Sequence, residues 1–250
     1  MSSHNWKRPT PLPALYRWRT NCLSIPLLVL ATSFYGSCAL IVSLFEKSGR
    51  IQHRIAQQWA WWLVRFSGAK LSIQGAENLN LSSHAVYVSN HASYMDTPVI
   101  FSSLPFQFRI LARQQLWSIP FIGWYLNRSG QIPINTENTH ATLSSLGIGL
   151  KALRHGMNLF VFPEGGRTPD GNLQNFLPGA VYLAIRAKVP IIPIALDGLH
   201  DLLPMHSRHF YPRPIVLRVG KPIHTEGYTL HQLEELNGKV RDAVRQMLPN

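Results

Sequence analysis

The sequence is short of cysteine and of acidic residues, and each shortage narrows what the chain can be. Only two cysteines occur in 250 residues. Both, Cys22 and Cys38, lie in one apolar stretch, which excludes a disulfide-stapled scaffold and the spaced Cys/His ligands of a zinc site and suits a reducing, cytoplasm-facing setting. Asp and Glu total 12 against 24 Lys and Arg, for a formal net charge of +12. Such an imbalance calls for an anionic partner: a phosphorylated substrate, an anionic membrane surface or a nucleic acid. The cations are scattered through apolar sequence, with no dense basic run and no nucleic-acid motif, so nucleic acid ranks last and none is expected as a partner. A Gly/Ser linker, an internal repeat, a metal-ligand cluster and a nucleotide-binding loop are all missing. The expectation is one large catalytic domain with no bound metal or cofactor.

Charge is also missing from Cys22 to Phe45, which reads CLSIPLLVLATSFYGSCALIVSLF. A run of that length can cross a bilayer core as a helix. It exceeds a signal-peptide core, so it is expected to stay as an anchor. Lys7, Arg8, Arg17 and Arg19 precede it, and Lys47, Arg50 and Arg54 follow, so the flanks leave orientation open. Pro26 and Gly36 can let the segment bend and return. The next stretch, IQHRIAQQWAWWLVRFSG, carries Arg and Trp against an apolar face as an interfacial helix does. Monotopic embedding is the expectation, with a single span or a buried soluble helix as alternatives. Residues 1–68 are thus assigned to membrane anchoring and 69–250 to a catalytic domain facing the cytoplasm.

Beyond Gly68 the pattern alternates strand and helix. AKLSIQG, AVYVSN and RILA read as strands, and Leu143 to His155 as a helix ending before Gly156. NLFVF is a strand running into a Gly-rich turn, Phe176 to Ala187 a helix, and VPIIPIAL and IVLRVG strands. The last helix starts near Thr229, where Thr229 and Gln232 form a capping box. The class is α/β, in which ligands gather beyond the C-terminal ends of strands.

Two polar turns occupy such positions. NHASYMD, Asn90 to Asp96, sets a His and an Asp five residues apart. A carboxylate that holds an imidazole makes it a general base, although the pair also suits an ordinary turn. FPEGGRT, Phe162 to Thr168, offers Glu164, then Gly165 and Gly166 for close backbone approach, then Arg167 for a phosphate or carboxylate. It too can be a plain tight turn.

In combination these segments resemble the glycerolipid acyltransferases, the family typified by 1-acylglycerol-3-phosphate (lysophosphatidic acid) acyltransferases. The family's NHxSxxD is matched by Asn90, His91, Ser93 and Asp96. Its FPEGTRS is matched by Phe162, Pro163, Glu164, Gly165 and Arg167, with Gly166 for Thr and Thr168 for Ser. Its VPIxPV-like strand is matched by Val189, Pro190, Ile191 and Pro193, and LWSIPFIGWYLNRSG looks like the segment before its second signature. The resemblance runs from about Trp59 to the last helix. It implies a central mixed sheet flanked by helices behind an N-terminal membrane-embedded helical segment.

By this resemblance His91 is the base that activates an acceptor hydroxyl and Asp96 its orienting partner. Glu164 and Arg167, with Gly165, Gly166 and Arg113, bind the acceptor and its phosphate. Asn90, Ser93, Phe162, Pro163 and Pro190 support the site, with Asn90 a candidate oxyanion donor, Ser93 a helix cap and the Pro190 strand an apolar floor. The implied reaction joins an acyl group from acyl-CoA or acyl carrier protein, the co-substrate, to a lyso-lipid in the membrane. Two positions depart from the family. Thr136 stands where its second signature has Arg, and Leu177 and Pro178 replace the lysines of an FKKG-like stretch. Lysophosphatidic acid therefore shares the field with lyso-ornithine lipid and lysophospholipid acceptors, and with the alternatives of a thioester hydrolase and a lipid-binding protein.

Overall fold

The computed structural model describes residues 14–79, 84–119, 121–135 and 139–249. The chain opens with helix α1, Ala14–Val42, and helix α2, Arg50–Ser67. Strands β1 (Lys70–Gln74) and β2 (Val86–Ser89) follow, then helix α3 (Asp96–Ser103) and β3 (Phe108–Arg113). A 3-10 turn, Gln114–Ser118, leads to α4 (Ile122–Arg128), β4 (Ile132–Ile134), α5 (Thr139–Arg154) and β5 (Asn158–Val161). The rest is α6 (Gly179–Ala187), β6 (Ile191–Asp197), α7 (Leu199–Leu202), β7 (Pro214–Val219) and α8 (Leu233–Met247).

The strands form one mixed sheet in the order β1-β7-β6-β2-β5-β3-β4. All neighbours are parallel except β6 and β7. The central strands are buried on both faces, so alternate residues feed opposite layers. Tyr87, Phe160, Ile192 and Ile194 join an apolar cluster with Ala60 and Leu63 of α2 and Ile100 of α3. Val86, Val88, Leu159 and Ile191 join a second with Leu153 of α5, Leu183 of α6 and Val240 of α8. Helix α2, which the sequence assigns to the anchoring region, therefore packs in the same core as the sheet.

Helix boundaries differ from the sequence reading where prolines and caps decide them. Helix α6 starts at Gly179 because Pro178 sits at its N-cap, and α5 reaches back to Thr139. The Thr229/Gln232 capping box forms and opens a 3-10 turn that leads into α8. In α1, neither Pro26 nor Gly36 turns the chain back. Pro26 directly follows a π-helical stretch, Arg19–Ser24, a local widening of the helix that admits a residue without an N–H and lets the helix run on. The reversal comes after Val42, ahead of Gly49, which holds φ 74° before α2.

Helix α1 docks by one stripe. Residues 20, 24, 28, 31, 35 and 39 are buried or half-buried, and the faces between them are exposed. Along that stripe Phe210 N–H donates to the Thr20 hydroxyl, Ser24 Oγ–H to Phe66 C=O, and Trp59 Nε1–H to the Thr32 hydroxyl. The outer face presents Val29, Leu30, Phe34 and Ile41, each more than half exposed.

Candidate active site

Sheet order brings the two polar turns together. β2 and β5 are parallel neighbours, although β3 and β4 lie between them in sequence, so Asn90–Asp96 and Phe162–Thr168 leave the same edge side by side. Two hydrogen bonds join the turns. His91 N–H donates to Glu164 Oε1 at 2.7 Å, and Thr168 N–H donates to His91 C=O at 2.9 Å.

Asp96 is fully buried, and its Oδ2 lies 2.8 Å from His91 Nδ1. The same oxygen accepts the N–H groups of Ala92 and Ser93 at 2.7 and 2.8 Å. With two backbone N–H groups already donating to it, this oxygen is placed to accept from Nδ1, the tautomer that leaves Nε2 able to take a proton. The imidazole stacks on Phe162, with ring centroids 4.0 Å apart and planes 15° apart. A ring clamped between a carboxylate and an aromatic face is held for proton transfer.

The supporting residues are fasteners. Asn90 is buried and pairs with the Leu196 backbone in both directions, its Nδ2–H donating to C=O at 2.9 Å and its Oδ1 accepting N–H at 2.8 Å. One of its two amide N–H bonds is thus held by β6. Ser93 Oγ–H donates to Leu203 C=O, and its oxygen accepts Met95 N–H ahead of α3, whose N-cap is Met95. It ties the turn to the loop after α7 instead of capping the helix. Pro163 C=O accepts Leu177 N–H. Pro190 lies elsewhere: its carbonyl accepts Val86 N–H at the start of β2 and β6, roughly 20 Å from the polar turns by the rise of a strand.

Both oxygens of Glu164 are taken by backbone amides, Oε2 accepting Gln174 N–H at 3.0 Å. Burial pushes its carboxyl up to about 7, the Asp96 charge adds to this, and the two amides pull the other way. Arg167 stacks its guanidinium 3.5 Å from the centre of the Tyr94 ring. Arg113 donates Nε–H and Nη2–H to Gly165 C=O at 3.3 and 3.0 Å. A side chain at Gly166 would collide with Arg113, since a Cβ there would lie 2.7 Å from Nη2.

His91, Arg113, Gly165, Gly166 and Arg167 line a cavity of about 440 Å³, with Phe162 and Pro163. Leu177 contributes an apolar wall. Thr136 lies outside the described residues. A second cavity of about 220 Å³ lies between α1, α2, α3 and α4, lined by Gly36, Ala56, Phe101 and Ile122 among others. Thr97, Ile110, Ala112 and Leu116 line both, so the cavities adjoin. Among the described residues no three His, Cys, Asp or Glu side chains are grouped to share a metal ion.

Tyr94, Gln174 and Leu196 are partners that the motifs do not single out, and Thr168 enters them only as a replacement for Ser. Tyr94 carries a faint signal as the aromatic inside NHASYMD. The other three act through backbone groups, which residue type does not reveal.

The Acyltransferase family model matches residues 70–197, over half of the chain. A chloroplastic 1-acyl-sn-glycerol-3-phosphate acyltransferase of Arabidopsis thaliana is 34% identical over 186 residues, covering 73% of this chain and 52% of that protein. The 1-acyl-sn-glycerol-3-phosphate acyltransferase of Saccharomyces cerevisiae is 29% identical over 225 residues, covering 87% and 74%. The chain spans about half the length of the Arabidopsis thaliana and Brassica napus relatives that it matches. The crystal structure of the 1-acyl-sn-glycerophosphate acyltransferase PlsC from Thermotoga maritima has the same fold, with a TM-score of 0.78 at 24% identity, covering 92% of this chain and 95% of that one. With its two polar turns joined at one sheet edge and the family's pattern running through both, the chain belongs to the Acyltransferase family.

Proposed function

We propose that this protein transfers an acyl group from a thioester of coenzyme A or acyl carrier protein to the free hydroxyl of 1-acylglycerol-3-phosphate, giving phosphatidic acid. The observation that carries this reading is the His91–Asp96 pair on the wall of a cavity that also holds Arg113 and Arg167. In this scheme His91 Nε2 takes the hydroxyl proton as that oxygen attacks the thioester carbonyl, and Asp96 steadies the imidazolium. The C–S bond then breaks, and the proton passes from the imidazolium to the leaving thiolate. No covalent enzyme intermediate and no bound cofactor are needed. Arg113 and Arg167 receive the acceptor phosphate, and the adjoining apolar cavity receives an acyl chain. Leu177 on the cavity wall favours a second reading of the acceptor, a lyso-lipid of lower negative charge such as a lyso-ornithine lipid.

Membrane attachment belongs to the same proposal. Helix α1 is the helix among the described residues long and apolar enough to cross a membrane, yet it is docked from Thr20 to Ala39. Held against α2 along that length, it lies in one leaflet with its outer face in hydrocarbon. Substrates with long chains then stay at the bilayer, avoiding about 0.8 kcal/mol for each CH₂ brought into water.

The test is to incubate the protein in vesicles with labelled acyl-CoA or acyl carrier protein and a panel of lyso-lipids, beside His91→Ala. A new ester that depends on His91 is expected. Free fatty acid as the main product at saturating lyso-lipid would mean a thioester hydrolase. An outcome identical for both proteins would leave a lipid-binding role.

A further inference from the structure

Between β3 and β4 the chain reads QQLWSIPFIGWYLN from Gln114 to Asn127, without a charged residue. The 3-10 turn and α4 fold tightly together at Gly123, where a Cβ would stand 2.1 Å from the Trp117 carbonyl oxygen. This packing turns apolar side chains outward. Ile119, Phe121, Ile122 and Trp124 are between 42% and 54% exposed. Large apolar groups gathered so densely on a surface mark an interaction site, whereas scattered ones do not. Phe121 also holds φ 63°, ψ −50°, a costly conformation for a residue with a side chain. It is kept where its ring both lines the apolar cavity and packs on Trp124, centroids 5.2 Å apart.

Two observations identify the occupant. The cavity behind this segment has Thr32, Tyr35 and Gly36 of α1 on one side and Leu116, Phe121 and Ile122 on the other. The exposed patch therefore lies directly beside α1, whose outer face is apolar. Secondly, one edge of the patch is basic. Gly49 backs onto Ser129, with 3.1 Å from its Cβ position to that carbonyl oxygen, and Arg109 donates to Ser48 C=O beside them. Lys47, Arg50 and Arg128, the cations next in sequence to these contacts, are exposed, with Glu46 the one carboxylate among them, tied to the Ser48 and Ile51 amides. An apolar and aromatic surface with cations at one rim matches hydrocarbon beneath an anionic headgroup layer.

We infer that residues 114–119 and 121–128 form a second membrane-contact element, through which the catalytic domain itself sits on an anionic lipid leaflet beside α1. The inference rests on the membrane reading of α1 and extends it to the domain that holds the chemistry.

The experiment uses the full chain with Cys22→Ser and Cys38→Ser, so that one added cysteine carries an environment-sensitive fluorophore. Probes at Ile122→Cys and, separately, Trp124→Cys are compared with Phe34→Cys on α1 and Leu230→Cys near α8, on the other face of the sheet. Each is read in phosphatidylglycerol/phosphatidylcholine vesicles containing lipids spin-labelled on the acyl chain, with iodide as the aqueous quencher. At 122 and 124 the expected result is a blue shift, quenching by the spin-labelled lipid and shielding from iodide, as at 34, while 230 stays open to iodide. Quenching by lipid at 34 but not at 122 or 124 would overturn the inference and leave the α1 reading standing. Iodide access at all four sites would overturn both.

Discussion

The backbone N–H of His91 donates to Glu164 Oε1 at 2.7 Å across 73 residues of sequence, while Glu164 Oε2 holds the Gln174 amide. Glu164 therefore sets the position of the proposed base through its main chain, and the cavity cations are left to meet the acceptor. Its carboxyl titrates near neutrality because burial disfavours its charge.

Stability should carry the mark of that titration. The carboxyl rises from an ordinary 4.5 to about 7 in the folded chain, so between those values the folded state binds more protons than the unfolded one. The contribution of Glu164 is fully present below about 4.5 and is lost as pH rises through about 7. Thermal unfolding of the parent and Glu164→Gln across pH 4 to 8 checks this: the difference in slope between them should lie in that window. Gln can accept only one of the two amides, so a fall in transfer rate is also expected.

Replacing Asp96 by Asn should cut turnover by about 10³- to 10⁴-fold with the fold retained. The amide leaves Ala92 and Ser93 N–H competing for one carbonyl oxygen and no longer holds the Nδ1-protonated tautomer. Single-turnover rates beside far-ultraviolet circular dichroism separate lost chemistry from lost structure.

Gly166→Ala should weaken binding of a phosphorylated acceptor more than it slows chemistry. The added Cβ would meet Arg113 Nη2 at 2.7 Å and drive the guanidinium off Gly165 C=O. Gly166 is not among the positive-φ glycines, so the backbone accepts alanine. A raised KM for lysophosphatidic acid with kcat little changed is the expected split, and Arg113→Ala should show the same pattern.

Leu177→Lys restores a cation to the cavity wall beside Gly165. A charge-assisted bond to phosphate is worth about 1.5 to 3 kcal/mol, so kcat/KM for lysophosphatidic acid should rise by roughly 10- to 150-fold relative to a lyso-lipid without an anionic headgroup. Competition between the two acceptors in mixed vesicles measures the ratio directly.

Gly36→Leu should shorten the acyl chains that are used. No atom of another element lies within 4 Å of its Cβ position, and the residue lines the apolar cavity. Leucine therefore fills space, and its better helix propensity contributes about 1 kcal/mol to α1. Product chain lengths from a mixed donor pool are the measurement.

Much of the fold is legible in sequence because each part is local. The short apolar run of VYVS, buried throughout, the Thr229/Gln232 box and the uncharged run in α1 all follow from neighbouring residues. Helix α1 departs from expectation at Pro26 for a reason that is also local: the π-helical turn ahead of it, Arg19–Ser24, accommodates the proline inside a continuous helix. For Pro190 the motif match was good, but position along the strand put it at the far end of the sheet.

Residue types by themselves determined that a His, an Asp, a Glu and an Arg would stand in turns beyond apolar strands, behind a segment suited to lipid. Tertiary structure alone decided that β5 lies beside β2, which joins the two turns although two strands separate them in sequence. It also decided that Glu164 is occupied by amides, that Asn90 is bound to β6, and that Arg113 uses the space left by Gly166. Strand order and side-chain partnership arise from pairings distant in sequence, whose free energy depends on the packing of the whole core. Periodicity and propensity record the neighbourhood of each residue and carry no such information.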